Sequence, residues 1–301
     1  MEMGLLLNFE QEMKQRSDDI NVLLLKHLPL ATGEQKTLLE AIRYSMLAGG
    51  KRLRPMLMQE TCRLFGGESQ ALGYFMAAME MIHTHSLIHD DLPAMDNDEY
   101  RRGKKTTHVV FGEAMAILAG DGLLNFAYET ASDAFLTKDS PYRISWAFRV
   151  LTKKTGIYGM IGGQSVDVEF EGQPLSEGQL DFIYELKTSA LIEASMMIGA
   201  ILGGASEEEV HQIELIGRRV GLAFQIQDDI LDVIGDEALL GKPVNSDEKN
   251  NKTTYVTIKG LEQAAADAER ISREAIALLD ELEGKNEFLR ELLLHLINRK
   301  A

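Results

Sequence analysis

The feature that most constrains this chain is an apolar helical run that ends in a cluster of carboxylates. Residues 81–102 read M-I-H-T-H-S-L-I-H-D-D-L-P-A-M-D-N-D-E-Y-R-R. Asp90, Asp91 and Asp96 follow the apolar run, with Asp98 and Glu99 close behind. Two carboxylates ~4 Å apart at an effective dielectric of ~20 repel by ~4 kcal/mol. A fold keeps such a cluster only beside positive charge. Arg101 and Arg102 neutralise part of it. A hard divalent cation is the other candidate, and Mg²⁺ combines a few carboxylates with the phosphates of a substrate.

A second acidic cluster repeats the theme. Residues 224–232 read F-Q-I-Q-D-D-I-L-D, so Asp228 and Asp232 share a helix face with Asp229 beside them. Long amphipathic segments separate the clusters and can bring two helices face to face. The expectation is a cavity with an acidic wall on each side and metal ions between.

Bulk charge narrows the partners. With 31 Lys and Arg against 47 Asp and Glu, the net charge of −16 argues against nucleic acid or an anionic membrane surface. An anionic substrate must then be drawn in locally. The single cysteine, Cys62, excludes an internal disulfide and fits a reducing compartment. The N-terminus has acids and no basic n-region, so no signal peptide is expected. The uncharged apolar stretch Ala194–Ala205 is too short to span a bilayer. The expectation is a cytoplasmic protein without stable membrane insertion.

Periodicity is helical nearly throughout, with six prolines and little β-branched alternation. Leu5–His27 is amphipathic. Thr32 and Gln35 form a capping-box pattern for a helix to Ala48, which Gly49-Gly50 stops. The next stretch, G-G-K-R-L-R-P, puts Lys51, Arg52 and Arg54 on a short connection into a helix whose first turn suits Pro55. Backbone N–H groups, the helix dipole and three cations favour a phosphate there. Glu68–Leu92 reads as a long apolar helix with His83, Leu87 and Asp90 on one face, and Pro93 re-aims Asp96. Arg101 and Arg102 read as loop, and helix resumes over Phe111–Ala134.

Ser140-Pro141 opens a further helix, and the glycine-rich Lys153–Gly163 is a break or a tight packing site. Ser176 with Gln179 caps a helix to about Leu202, with Lys187-Thr188 inside an apolar surface; Ser206 with Glu209 caps the helix of the second acid cluster. Such a lysine either finds an anion or snorkels outward, the commoner fate. Gly235–Lys252 is polar, a loop over a site or a plain linker. From Leu261, Ala264, Ala268, Ile271, Ala275, Leu278 and Leu282 form a core-facing stripe. The chain reads as one all-α domain over residues 1–301.

Taken in order, these motifs resemble the bacterial short-chain trans-prenyltransferases, the polyprenyl synthetases, of the farnesyl diphosphate type. The resemblance runs nearly end to end: G-G-K-R-L-R-P, Asp90-Asp91 with Asp96 and Arg101-Arg102-Gly103, Gly120-Asp121, Lys187-Thr188, the run Phe224–Asp232, and Lys242. It implies a single-domain antiparallel helical bundle around a deep central cavity, the isoprenoid synthase fold, acting as a homodimer. It implies an enzyme that condenses isopentenyl diphosphate with dimethylallyl and geranyl diphosphate to give farnesyl diphosphate. It further implies three Mg²⁺ ions with substrate bound, Mn²⁺ being a possible substitute. Asp90, Asp96 and Asp228 would hold them, with Asp91, Asp229 and Asp232 in support. Gly50, Lys51, Arg54, His83, Arg102 and Lys252 would bind diphosphate, the middle four that of isopentenyl diphosphate. Arg101, Lys187 and Lys242 would contact the allylic diphosphate, and Thr188 and Gln225 would set oxygen dipoles near the allylic cation.

One departure bears on the product. Five residues before Asp90 the farnesyl type usually carries an aromatic that floors the pocket; here stands His85, followed by Ser86. A smaller, polar floor leaves a twenty-carbon geranylgeranyl product as the second reading. A third, of another class, is a non-catalytic subunit modulating another synthase. Such subunits tend to lose an aspartate motif, and both are intact here. A His-Asp phosphohydrolase would need several histidine ligands, which the second cluster lacks. A terpene cyclase has no use for a basic site for a second diphosphate.

Overall fold

The structure, a computed structural model, describes residues 2–234 and 253–297. It divides into two compact units, 1–59 with 68–148 and 60–67 with 149–301. Among the described residues the only strands are a two-residue pair, so the all-α expectation holds.

The first unit contains α1 (Glu2–His27), α2 (Lys36–Met46), the start of α3 (Leu53–Leu64), α4 (Leu72–Asp90), α5 (Thr107–Phe111), α6 (Glu113–Ser132) and the start of α7 (Pro141–Thr155). Helix α4 is apolar all round, the signature of a helix enclosed on every side. Its run Phe75–Ile82 is buried without interruption. It packs on α6, where Ala116, Ala119, Gly120 and Ala127 keep the contacting face small.

That run includes one charge, Glu80, at 2 % exposure. Arg52 answers it: Nη1 donates to Glu80 Oε1 at 2.6 Å, Nη2 to the Met46 carbonyl at 2.6 Å, and Nε to Asn21 Oδ1 at 2.9 Å. The cost is a left-handed backbone at Arg52, φ +52°. Arg52 is therefore an internal counter-ion, not one of three cations awaiting a phosphate.

Other boundaries moved for local reasons. The Thr32–Gln35 capping box does not form. Gly33 turns the chain at φ +80°, Gln35 takes the N-cap position without a side-chain bond, and the helix closes at Met46. Helix α4 starts at Leu72 rather than Glu68. The segment of Arg101 and Arg102 is not plain loop, because β1 (Tyr100–Arg101) pairs antiparallel with β2 (Lys104–Lys105). The helix expected over Phe111–Ala134 is interrupted at Gly112 and closes at Ser132, before a 3₁₀ turn, Asp133–Leu136.

The second unit contains α8 (Met160–Glu169), α9 (Glu177–Ile183), α10 (Ala190–Gly203), α11 (Glu207–Ile234), α12 (Tyr255–Lys259), α13 (Leu261–Glu281) and α14 (Glu287–Ile297). The Ser176–Gln179 and Ser206–Glu209 capping boxes form as expected. Every residue of α10 is buried, and α11 packs on both α10 and α13. The stripe on α13 is buried at Ala264, Ala268, Ile271 and Ala275 and continues to Leu282, whereas Leu261 is exposed and Ile276 and Leu279 are buried beside the partly exposed Leu278. The helical stretch Glu177–Gly203 is, against expectation, long and apolar enough to cross a membrane by length and composition, but 83 % of its most apolar window is buried.

A buried ion pair loses far more when one partner is removed than when both are. Arg52→Ala or Glu80→Ala should each cost about 3–5 kcal/mol, read by equilibrium urea unfolding. The double variant should cost clearly less than the sum; additive losses would show that the two charges do not depend on each other.

Candidate active site

In the first unit the acidic cluster forms where α4 ends. Beyond Pro93 the chain doubles back, and the Asp96 amide donates to the Asp90 carbonyl at 2.8 Å. That bond brings Asp96 beside the last turn of α4, with Asp90 half-buried and Asp96 exposed. Asp91 differs: it is 4 % exposed, and Arg101 Nε donates to its Oδ1 at 2.5 Å. Burial pushes the Asp91 carboxyl up to about 6, against the pull of Arg101.

The basic group lies in the same unit. Arg54, in the first turn of α3, sets Nη1 3.3 Å from His83 Nε2. A guanidinium only donates, so Nε2 is the acceptor and the His83 proton sits on Nδ1. Burial and Arg54 hold the His83 pKa well below 6.5, and burial brings Arg54 down to about 10. The Arg54 Nε is buried without a hydrogen-bond partner. Arg102 donates to the Gly49 carbonyl and lies over Gly50, where a Cβ would meet its guanidinium at 2.7 Å. Lys51 is exposed beside them. An anion is the natural partner of this set.

His85 is 7 % exposed. Its Nδ1 lies 3.0 Å from the Gly120 carbonyl and its ring meets His89 edge-on, centroids 4.7 Å apart. Ser86 turns inward to its own helix, donating to the His83 carbonyl at 2.9 Å.

In the second unit a cavity of about 670 Å³, its open mouth included, is lined by Asp167, Lys187, Thr188, Gln225, Asp228 and Asp229 together with the apolar Leu175, Leu180 and Ile183. Lys187 and Thr188 lie on a π-helical turn, Tyr184–Ser189, inserted between α9 and α10. Such turns concentrate at functional sites. Close packing holds it: a Cβ on Gly163 would meet the Lys187 nitrogen at 2.3 Å, and one on Gly221 would meet Ser189 Oγ at 2.4 Å. Lys187 Nζ pairs with Asp167 Oδ2 at 2.6 Å, so the lysine has found an anion rather than snorkelled. Thr188 Oγ1 donates to Gln225 Oε1 at 2.9 Å. Asp229 and Asp232 are buried, at 4 % and 2 % exposure, while Asp228 is half-buried. Lys242 and Lys252, with the expected loop 235–252, lie outside the described residues.

Sequence reasoning missed Asp167, Tyr184 and the π turn. Helical periodicity carries no mark of one inserted residue, and Asp167 could be paired with Lys187 only through the fold. Among the described residues no group of three or more His, Cys, Asp or Glu converges into a ready metal cage. The donors at hand are carboxylate oxygens, which suit a hard cation that completes its shell with water and substrate phosphate.

The profile of the family described as polyprenyl synthetase matches residues 35–292. The chain belongs to the polyprenyl synthetase family. It is thus a prenyltransferase, and its fold is that of the isoprenoid synthases. It is similar to the large subunit 1 of a heterodimeric chloroplastic geranylgeranyl pyrophosphate synthase from Arabidopsis thaliana, 49 % identical over 78 % of this chain and 65 % of that one. It is also similar to a farnesyl diphosphate synthase from Geobacillus stearothermophilus, 44 % identical over 85 % and 86 %. Among solved structures, an FPP/GFPP synthase from Zymomonas mobilis superposes with a TM-score of 0.85 at 34 % identity, covering 97 % of this chain and 99 % of that one. A geranyltransferase from Helicobacter pylori complexed with magnesium and isoprenyl diphosphate gives 0.82 at 33 % identity, covering 96 % of each.

In this polyprenyl synthetase the folded His85 gives up its proton near pH 4, because burial and His89 disfavour its charge, against 6.5 for an ordinary histidine. The unfolded chain then binds more protons between those values. The stability is intact above about pH 6.5 and is lost as pH falls toward 4. Asp91, raised to about 6, works the opposite way, so the contrast with His85→Gln isolates the histidine. Between pH 7 and pH 5 the wild type should lose about 2 kcal/mol more than His85→Gln, measured by denaturant unfolding at each pH.

Proposed function

We propose that this polyprenyl synthetase condenses isopentenyl diphosphate with dimethylallyl and then geranyl diphosphate, giving farnesyl diphosphate. The observation that carries the reading is the second-unit cavity. It brings a carboxylate, a lysine, paired oxygen dipoles and apolar side chains to one lining, the combination an ionising allylic diphosphate needs.

Asp90, Asp96 and Asp228 are the residues that would hold magnesium, which when bound supplies Lewis-acid charge to the leaving diphosphate. Lys187 would pass from Asp167 to that diphosphate as its charge develops. The C–O bond breaks with the electron pair going to the diphosphate. The Thr188 hydroxyl donates its proton to Gln225, so only its lone pairs are left to face the allylic cation, and Leu175, Leu180 and Ile183 would keep water from it once substrate fills the cavity. Lys51, Arg54, His83 and Arg102 would hold isopentenyl diphosphate, whose C3–C4 double bond attacks the cation. A C2 proton then leaves to the released diphosphate, since no protein base stands among the motifs.

A geranylgeranyl product is the second reading, and one observation favours it: His85 replaces the larger aromatic of the farnesyl type and is held against Gly120. Relatives bearing both product names support the pair of readings equally.

Incubation with isopentenyl diphosphate, dimethylallyl diphosphate and Mg²⁺ should yield a fifteen-carbon diphosphate by mass spectrometry, and chelation should abolish it. Free phosphate without an isoprenoid would refute the reading. Asp228→Ala should lower kcat by about 10² or more; normal turnover would remove Asp228 from the metal site. His85→Ala should lengthen the product, and an unchanged chain length would end its role as a floor.

A further inference from the structure

The structure assigns to Asp229 the part of a positioning residue: its carboxylate clasps Tyr184 and the backbone of Tyr255, and thereby sets the π turn that presents Lys187 and Thr188. The resemblance alone placed Asp229 among the groups supporting the metal. The geometry gives it other work. Asp229 is 4 % exposed on α11. Its Oδ2 accepts the Tyr184 phenol proton and, at 2.8 Å, the backbone N–H of Tyr255. The Tyr255 amide also lies 3.3 Å from the Tyr184 oxygen, closing a three-way junction.

Each arm of the junction leads somewhere definite. Tyr184 is the first residue of the π turn, 6 % exposed, and its carbonyl accepts from Ser189 Oγ, which closes the same turn at 2.9 Å. Tyr255 is the first residue of α12, behind the Thr254–Thr257 capping box. One carboxylate oxygen therefore fixes the start of the π turn on α11 and pins the start of α12 to the same point. Lys187 and Thr188 lie within that turn, and Thr188 reaches Gln225, one helical turn before Asp229. A shift of Tyr184 would move both groups relative to Gln225 and Asp228.

The chemistry of the junction separates a clasp from a metal ligand. The bonds from Tyr184 and Tyr255 both end on one oxygen acting as acceptor, and an amide oxygen accepts two donors as well. Asn at 229 thus keeps the clasp and loses the negative charge. A carboxylate that binds a cation gives up its negative charge in the same change, so the cation requirement rises.

The catalytic consequence rests on the reading of this cavity as the allylic diphosphate site; the clasp does not. Unfolding midpoints of the metal-free protein test the clasp alone. Asp229→Ala and Tyr184→Phe should each lower the midpoint by about 3–6 °C, with the double variant little lower than Asp229→Ala. Independent, additive shifts would overturn the proposal. Steady-state kinetics test the consequence. Tyr184→Phe should lower kcat about tenfold while leaving the KM for isopentenyl diphosphate and the half-saturating Mg²⁺ unchanged. Asp229→Asn should recover at least about tenfold in kcat over Asp229→Ala, and should not raise the Mg²⁺ requirement. Should Asp229→Ala fail to fold, Tyr184→Phe and Asp229→Asn still decide. An Asp229→Asn protein whose Mg²⁺ requirement rises, beside a silent Tyr184→Phe, would make Asp229 a metal ligand and overturn the proposal. Absence of condensation by the wild type would defeat the functional reading while the unfolding measurements still judge the clasp.

Discussion

Charge carried on apolar helices must be answered before it can be buried, and much of this structure follows from how each charge is answered. Isolated burial of an ion is prohibitive. Glu80 lies within the buried run of α4 and takes Arg52 from the turn before α3. Glu193, on the wholly buried α10, takes Lys154 from the end of α7, which also reaches Glu214 at 2.7 Å. Asp91 takes Arg101 from β1. Each pair ties a helix to a segment distant in sequence. Such pairs add little net stability over apolar residues of equal volume, but they penalise any packing that separates the partners.

The groups proposed for chemistry are those answered incompletely or reversibly. Arg54 keeps a buried Nε without a partner, and His83 stays neutral beside it. Lys187 rests on Asp167 at the cavity wall, where, under the proposed function, an incoming diphosphate would compete for the same ammonium. Asp90 and Asp96 stay nearer solvent while Asp91 is enclosed. One acidic motif therefore holds two kinds of carboxylate, two nearer solvent and one enclosed against Arg101. The second motif divides likewise, with Asp228 at the cavity and Asp229 clasping Tyr184 and Tyr255.

Much of this was legible beforehand. Local chemistry announced the capping boxes at Ser176 and Ser206 and the helical fold class. The polar positions on apolar helices marked the candidate site residues, because carboxylates and cations there need a reason. The failures share a cause. Thr32–Gln35 has the letters of a capping box, yet Gly33 spends its freedom on a turn. Arg52 looked like one more phosphate-binding cation, since nothing nearby in sequence reveals Glu80 twenty-eight residues on. The π turn and Asp167 left no periodic trace.

The sequence by itself determined the helical class, the placing of most helix ends and the inventory of acids, cations and dipoles, because these depend on neighbours within a turn or two of chain. Only the tertiary structure decided which of those groups pair with one another and which line the cavity. Burial and pairing are properties of distance in space, and Arg52, Asp91, Lys187 and Asp229 acquire their roles from partners that no local pattern names.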